Sequence, residues 1–205
     1  MEVYSNENEQ VDAIRRFFAN NGKALAVGVV LGIGALVAWR YWGTHQDSSS
    51  REVSAHYQQL TTALDASKPQ TLEAVAKFAN ENSNTYGALA SLDLAKQYVD
   101  KNELAKAAGQ LQNGIKNTRD ANLQAVMNLR LARIQLQQKQ VDDALKTLDS
   151  VKGDGWTAIV ADIRGEALLS KGDKQGARDA WSKGIASEAS PALKEMMQMK
   201  MNNLG

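Results

Sequence analysis

Two histidines and a few neighbouring carboxylates are the residues whose types could support catalysis or metal binding. His45 and His56 have no carboxylate or cysteine pattern around them, so we expect each to be a solvent-exposed or hydrogen-bonded side chain. Asp142 and Asp143 are adjacent, and on a helix such neighbours point about 100° apart and cannot share a proton. Their position instead favours the first turn of a helix, where the helix dipole stabilises acids.

Other catalytic and cofactor-binding motifs are missing from the sequence. Gly153, Asp154 and Gly155 have no strand before them, so they predict a turn and not a phosphate-binding loop. The chain has no cysteine, which excludes disulfides and thiolate chemistry. No nucleophile-elbow, zinc-protease or calcium-loop pattern occurs. We therefore predict that the protein is not an enzyme and binds neither a cofactor nor a metal ion.

The composition predicts an all-α protein. Of 205 residues, 43% are apolar and 23% charged, and only two are prolines, while Ala, Leu, Gln and Lys are abundant. The formal net charge is +1, and residues 1–42 carry four basic and four acidic side chains, which leaves 20 and 19 beyond them. Because no part of the chain concentrates positive charge, nucleic acid is not an expected partner.

An uncharged stretch near the N-terminus predicts a transmembrane helix. Residues 24–39 read ALAVGVVLGIGALVAW, and Arg40, Tyr41 and Trp42 follow directly. Residues 24–42 approach the ~20 residues that cross a lipid bilayer, and the terminal arginine and aromatic residues suit its interface. Since bulky aromatics end the stretch, we expect an uncleaved anchor and not a signal peptide.

The distribution of basic residues predicts the orientation of this anchor. Arg15, Arg16 and Lys23 precede it, whereas Arg40 and the more distant Arg51 follow it. This bias places the leader, residues 1–23, in the cytoplasm. In a Gram-negative host the anchor then lies in the inner membrane as a single pass, with the C-terminal part in the periplasm.

Two features around the anchor could make contacts of their own. Residues 9–20 place apolar side chains at helical spacing, which favours an amphipathic helix on the cytoplasmic membrane surface. Gly28 and Gly32 form a GxxxG pair, so they are the candidate contact with another membrane helix. Residues 43–54 are polar and Ser-rich and predict a juxtamembrane connector.

Residues 55–205 predict a domain of repeated helical hairpins. Small residues recur at Ala95, Ala132 and Gly165, with an alanine twelve residues later and a large apolar residue sixteen later in each copy. The later positions are Ala107, Ala144 and Ala177, then Leu111, Leu148 and Trp181. A weaker copy begins at Thr62, with Ala74 and Phe78 at the same offsets, and the copies are 33, 37 and 33 residues apart.

This pattern resembles the tetratricopeptide repeat, in which small residues let two helices approach and a large one fills the groove. Gly172 and Asp173 then form a turn between helices, Asn102 replaces the turn glycine in one copy, and Gln140 replaces it in another. Ser190 and Pro191 predict the start of a final helix that caps the repeats. The expected fold is thus one transmembrane helix followed by a tetratricopeptide-like solenoid with a C-terminal capping helix.

In tetratricopeptide geometry the first helix of each hairpin lines the inner, concave face. Positions three before, one after and four after each reference residue would face this surface and could bind an extended polypeptide or a partner helix. These candidate residues are Leu92, Lys96, Val99, Leu129, Arg133, Leu136, Asp162, Glu166 and Leu169.

The complete layout is similar to that of a known family. Its features are the acidic leader, FFANNGKALAVGVVLGIGALVAWRYW, the Ser-rich connector, NTYGALASLDLAKQ, GWTAIVADIRGEALLSKGDKQGARDAW and a terminal MMQMKMNN. Together they resemble the ancillary subunit of the bacterial Sec translocon, the YfgM family. The resemblance implies association with the SecYEG channel and the chaperone PpiD, and contact with unfolded periplasmic polypeptides. It implies that the protein helps newly translocated proteins pass to periplasmic chaperones.

Two other functions are compatible with the residues. A regulatory tether would sequester a cytoplasmic signalling protein through residues 1–23. A structural scaffold would assemble a membrane complex through the anchor. The residues themselves, without the family resemblance, indicate only a membrane-anchored module that binds other proteins.

Overall fold

The computed structural model describes residues 4–65 and 67–204, with side chains at positions 11, 12, 14–41, 51–65 and 67–204. The regular structure of this part is helical throughout, as the composition predicts. The helices are α1 Tyr4–Thr62, α2 Pro69–Glu81, α3 Thr85–Asp100, α4 Leu104–Asn117, α5 Ala121–Gln137, α6 Val141–Asp149, α7 Thr157–Ser170, α8 Lys174–Ala186 and α9 Pro191–Asn202. A single 3-10 turn, Asp154–Trp156, precedes α7.

The chain divides into two compact units, residues 1–53 and 54–205. The described part of the first unit is the portion of α1 that ends at Val53, and the rest of α1 belongs to the second unit. Within the first unit, Ile14–Tyr41 is the one described segment that is long and apolar enough to cross a membrane. At 1.5 Å per residue these 28 residues extend about 42 Å, more than the ~30 Å hydrocarbon core. Large apolar side chains such as Val30, Leu31 and Leu36 are about 70% exposed, so the protein itself does not bury this segment.

The helix also continues through residues 43–54, where the sequence predicts a connector. This segment is polar and contains no proline, and its serines do not interrupt the helix. The side chain of His45 and those of residues 1–10 lie outside the described side chains.

The second unit contains the predicted hairpins, α3–α4, α5–α6 and α7–α8, followed by α9. The small residues of the pattern are buried at the contacts within each hairpin, and the large residues beside them are at most 1% exposed. In the last hairpin Trp181 packs against Gly165, where even one Cβ atom would collide with the indole ring. The indole N–H donates a hydrogen bond to the Asp162 carbonyl at 3.2 Å, which holds the ring in that contact. The tetratricopeptide-like arrangement is therefore confirmed.

The turns between paired helices correct one prediction. Asn102, Lys139 and Gly172 all adopt positive φ, at 58°, 62° and 83°, and each lies seven residues after its reference residue. The following residue in each turn donates its N–H to a carbonyl five residues earlier, as in a Schellman motif. Lys139, and not Gln140, therefore occupies the glycine position of the second turn.

The weak first copy is only partly correct. Phe78 is 3% exposed and belongs to the core, but Ala74 and Thr62 are exposed, and Val75 is buried in place of Ala74. The end of α1 is held instead by aromatic side chains. Tyr57 donates a 2.8 Å hydrogen bond to Asp93, and His56 packs edge-on against Phe78 with ring centroids 5.2 Å apart.

The C-terminal helix caps the last hairpin as predicted. The Ser190 hydroxyl accepts the N–H of Leu193 at 3.4 Å, and Pro191 occupies the first helical position. Met197 and Leu204 are buried together with Ala177 and Trp181. The apolar side of α9 is thus core, while Met199 on its other side is 59% exposed.

Candidate protein-interaction surface

A groove of about 250 Å³ runs between α3 and α5. Each helix presents a stripe at the i, i+3, i+4, i+7 spacing that brings side chains onto one helical face. The stripe on α3 is Leu92, Ala95, Lys96 and Val99, and the stripe on α5 is Arg130, Arg133, Ile134 and Gln137. Leu111 of α4 forms the floor between them. Four predicted residues, Leu92, Lys96, Val99 and Arg133, therefore lie around one groove.

Sequence reasoning missed Arg130, Ile134 and Gln137 because it used the same offsets on every helix. The two helices face the groove from opposite sides and therefore present different sides of their surfaces to it. Counted from the reference residue, each position of α5 that lines the groove lies one residue later than the corresponding position of α3. Arg130 lies one turn before Arg133, and Gln137 lies one turn after it. The sequence could have indicated these residues, because Arg130 lies three residues before the predicted Arg133 and so shares its helical face.

The groove combines an apolar floor with unpaired positive charge. Leu111 is 1% exposed, Ala95 is 3% and Ile134 is 6%, whereas the rim residue Val99 is 38% exposed. Lys96, Arg130 and Arg133 are exposed at the same groove. Among the described residues, no carboxylate lies within 4 Å of any of these three cations. This groove, with its nine lining residues, is called the α3–α5 groove below.

The predicted inner-face residues of α5 that face α7 are part of the core. Leu129 is 7% exposed and clusters with Ala132, Leu148 and Ile163. Leu136 packs against the same cluster. Helices α5 and α7 pack directly against each other, so this interval is filled by aliphatic side chains.

The interval between α7 and α9 is closed by ion pairs. Lys200 of α9 donates to Asp162 at 2.6 Å and to Glu166 at 2.5 Å. Asp162 is 2% exposed, so it lies beneath this contact and not on an open surface. Although burial alone would lower the pKa of Lys200, the two carboxylates raise it above its usual value of 10.5. Leu169, the last predicted residue, is 39% exposed.

A second cleft, of about 320 Å³, lies among α6, α7 and α8. Its charged residues include Arg164 and Asp149, which form a 2.5 Å ion pair with each other. Lys183, the other charged residue of the cleft, has no ion pair among the described residues. The cleft therefore differs from the α3–α5 groove in that its lining includes a carboxylate, Asp149.

The residues with possible chemistry take structural positions. Asp142 and Asp143 lie in the first turn of α6. Lys171 donates a 2.7 Å hydrogen bond to Asp142, and this bond lowers the pKa of the Asp142 carboxyl group. Gly153–Gly155 contribute to the 3-10 turn before α7. Within the described residues, no three His, Asp or Glu side chains come together in a group that could hold a metal ion.

The candidate contact in the apolar segment has an open surface. A Cβ atom added at Gly28 or Gly32 would meet nothing within 4 Å, so both positions could accept the close approach of another helix. Whether they do so remains a prediction.

The chain matches the family profile of the tetratricopeptide repeat-like domain over residues 15–205. It is 67% identical to the ancillary SecYEG translocon subunit of Escherichia coli strain K12, over 100% of this chain and 99% of that protein. The protein of the same name from Haemophilus influenzae is 34% identical over 98% of this chain and 100% of its own length. This chain belongs to the family of ancillary SecYEG translocon subunits. No solved structure matches it.

Similarity to this family extends over both units of the chain. The relative of that name from Aggregatibacter actinomycetemcomitans is 32% identical over 97% of both proteins. The profile begins at residue 15, so it includes nearly all of the apolar segment of α1 together with every repeat. The family consists of translocon subunits built on tetratricopeptide-like repeats, which is a non-enzymatic kind of protein.

Proposed function

We propose that this chain is a single-pass inner-membrane protein whose repeat domain binds other proteins at the SecYEG translocon. The observation that carries the proposal is the joining, in one chain, of an exposed apolar helix at Ile14–Tyr41 to a stack of protein-binding repeats. The names of the relatives supply the translocon as the site of action.

In the proposed topology the leader is cytoplasmic and residues 55–205 are periplasmic. Arg15, Arg16 and Lys23 precede residues 24–42, whereas on the other side only Arg40, near the end of that stretch, and Arg51, beyond it, are basic. Basic residues near a span are retained on the cytoplasmic side, which supports this orientation. We take residues 24–42 as the membrane-crossing part of α1.

The proposed role is the transfer of newly translocated proteins to periplasmic chaperones, with PpiD as the membrane-bound partner. An anchor raises the effective concentration of the repeat domain beside the channel exit, so weak contacts suffice for transient capture. The α3–α5 groove, with an aliphatic floor and charged side chains at its rims, suits contacts of this strength, because binding clefts are mostly apolar with a few polar groups.

Protease accessibility combined with crosslinking tests this function. A C-terminally tagged full-length chain is crosslinked in intact cells, and the repeat domain is probed with protease before and after permeabilisation of the outer membrane. We expect cleavage only after permeabilisation, together with crosslinks to the translocon or PpiD. Protection until the inner membrane is opened would place the repeats in the cytoplasm and contradict the proposal.

Two variants separate this role from the regulatory tether and the scaffold. A fusion that carries the leader alone, residues 1–23, should not retain the partners, whereas a tether would keep its cytoplasmic partner through that segment. Replacing Gly28 and Gly32 by leucine removes the close approach of a helix at the open glycine face. A scaffold that assembles through the anchor should then lose its complex, while binding by the repeat domain should persist.

A further inference from the structure

We infer that the α3–α5 groove is a docking site for a polypeptide segment that carries carboxylates beside a large apolar side chain. The inference deepens the proposed function, because it names the chemistry of a partner that the repeat domain would bind. It depends on the contrast between this groove and the corresponding intervals of the same solenoid.

The size of the groove suits side chains of a polypeptide better than a cofactor. Its volume of about 250 Å³ exceeds the ~150 Å³ of an apolar cavity that holds benzene. It is smaller than the ~300 Å³ from which pockets for drug-sized molecules begin. One or two leucine, methionine or phenylalanine side chains would therefore fill the space above Leu111, Ala95 and Ile134.

The charges at the groove select acidic neighbours for that side chain. Lys96 lies on the α3 rim, and Arg130 and Arg133 lie one turn apart on the α5 rim. The nine lining residues include no acid, and no described carboxylate pairs with the three cations. An acidic partner gains attraction from both rims, and a basic partner would be repelled by them.

The α7–α9 interval shows the same combination of contacts with the charges exchanged. There Lys200 reaches from α9 to Asp162 and Glu166 on the neighbouring helix α7, while Met197 of the same helix enters the core. Apolar anchoring and cation–carboxylate pairing thus occur together on one helix. In the α3–α5 groove the chain supplies the cations and the apolar floor, and the partner would supply the carboxylates and the apolar anchor.

Binding of designed peptides to the full-length chain in phosphatidylcholine nanodiscs tests the inference. The acidic probe is a fluorescent amphipathic peptide of about four helical turns, with a leucine stripe flanked by glutamates. The basic probe has lysine at each glutamate position, and a third probe has serine at each leucine position. We expect binding of the acidic probe to weaken with salt and to be lost in the serine probe.

Charge reversal of the protein provides the decisive comparison. The double substitution Arg130→Glu and Arg133→Glu should lower the affinity for the acidic probe at least about tenfold, and it should create binding of the basic probe. The matched control is Lys116→Glu with Arg119→Glu, which changes net charge equally at exposed positions outside the groove and should leave both affinities unchanged. Misfolding would expose apolar core and would weaken or strengthen both probes together, because they share the leucine stripe, so it would not exchange their order.

Three outcomes would overturn the inference. The first is equal binding of the acidic and basic probes, and the second is equal loss of binding in the control variant. The third is arginine-dependent binding of short-chain phosphatidylglycerol with no binding of either peptide, which would assign the groove to a lipid headgroup. Any of these results could coexist with crosslinks to the translocon, so the groove and the proposed function can fail separately.

Discussion

Removing the ammonium group of Lys200 should loosen the C-terminal helix. In Lys200→Met the buried Asp162 carboxylate loses the partner 2.6 Å away, and Glu166 loses the partner 2.5 Å away. Breaking a fully buried ion pair costs about 3–5 kcal/mol. Because the Lys200 side chain is 26% exposed and Glu166 is 43% exposed, we expect a smaller loss, about 2 kcal/mol.

Hydrogen exchange measures this loss where it occurs. Terminal repeats of a solenoid open separately from the rest, so the change should appear in amides of α9 and of the facing turns of α7. A loss of about 2 kcal/mol corresponds to roughly thirtyfold faster exchange, since 1.4 kcal/mol is a factor of ten. The matched control is Lys194→Met on the same helix, where no described ion pair is removed.

The pH of the experiment follows from the direction of the pKa shift. Two carboxylates raise the pKa of Lys200 in the folded protein above the usual 10.5. Stabilisation from such a group is complete below the unfolded-state pKa and is lost as the pH rises through the folded-state pKa. Measurements near neutral pH therefore report the whole effect.

A second substitution tests whether the carboxylate is the cause. Adding Asp162→Asn to Lys200→Met removes the unpaired charge and should recover part of the protection. If the amides of α9 exchange no faster in Lys200→Met, or lose only as much protection as in the Lys194→Met control, the ion pairs do not hold α9 in place.

Other substitutions test the turns and the helix contacts. Lys139→Gly should raise the free energy of unfolding by about 1 kcal/mol, measured by guanidinium titration, because glycine adopts positive φ without strain. Gly165→Ala should lower it by about 1–3 kcal/mol, since its Cβ collides with the buried Trp181 ring, whereas Gly109→Ala, in open space, should not. Tyr57→Phe should cost about 1 kcal/mol and speed exchange at the end of α1, because a 2.8 Å hydrogen bond to α3 is lost.

The contacts inside each hairpin could be predicted because they depend on local and periodic requirements. A helix can approach Gly165 closely only if that position is small, and the same condition applies at Ala95 and Ala132. These small positions and the residues that pack against them recur at fixed offsets along the chain. A single sequence is therefore enough to identify them. The spacing of 37 residues from Ala95 to Ala132 is longer than the next one because α4 has 14 residues and α6 has 9, and because α5 is longer than α7 before its reference residue. The longer connection between α6 and α7 offsets part of this difference.

The turn at Lys139 was misplaced because its conformation is imposed by the surrounding hydrogen bonds and not by its residue type. Lysine gives no local sign of positive φ, whereas Gly172 and Asn102 do. The Lys139 N–H donates to the Leu136 carbonyl, and the Gln140 N–H donates to the Gln135 carbonyl, which together close the turn. Aligning the three turns identifies Lys139 as the positive-φ position, whereas the residue type alone does not.

The exposure of the inner face could not be predicted, because it depends on the helix that comes next in space. Leu92, Leu129 and Asp162 share one offset from their reference residues, but only Leu92 lines a groove. Leu129 is covered by α7 side chains, and Asp162 is covered by Lys200, which lies 38 residues later. The same offset therefore gives an open site, an aliphatic core or a buried ion pair.

The solenoid therefore contains three different intervals between successive helices of one layer, namely α3, α5, α7 and the capping helix α9. The α5–α7 interval is closed by aliphatic side chains, and the α7–α9 interval by Lys200 with two acids. The α3–α5 interval has an apolar floor like the first and cations on both rims, but the chain supplies no carboxylate to them among the described residues. Since the other intervals show that this fold can close such a gap itself, an open interval with unpaired Lys96, Arg130 and Arg133 is better explained by an external partner than by imperfect packing.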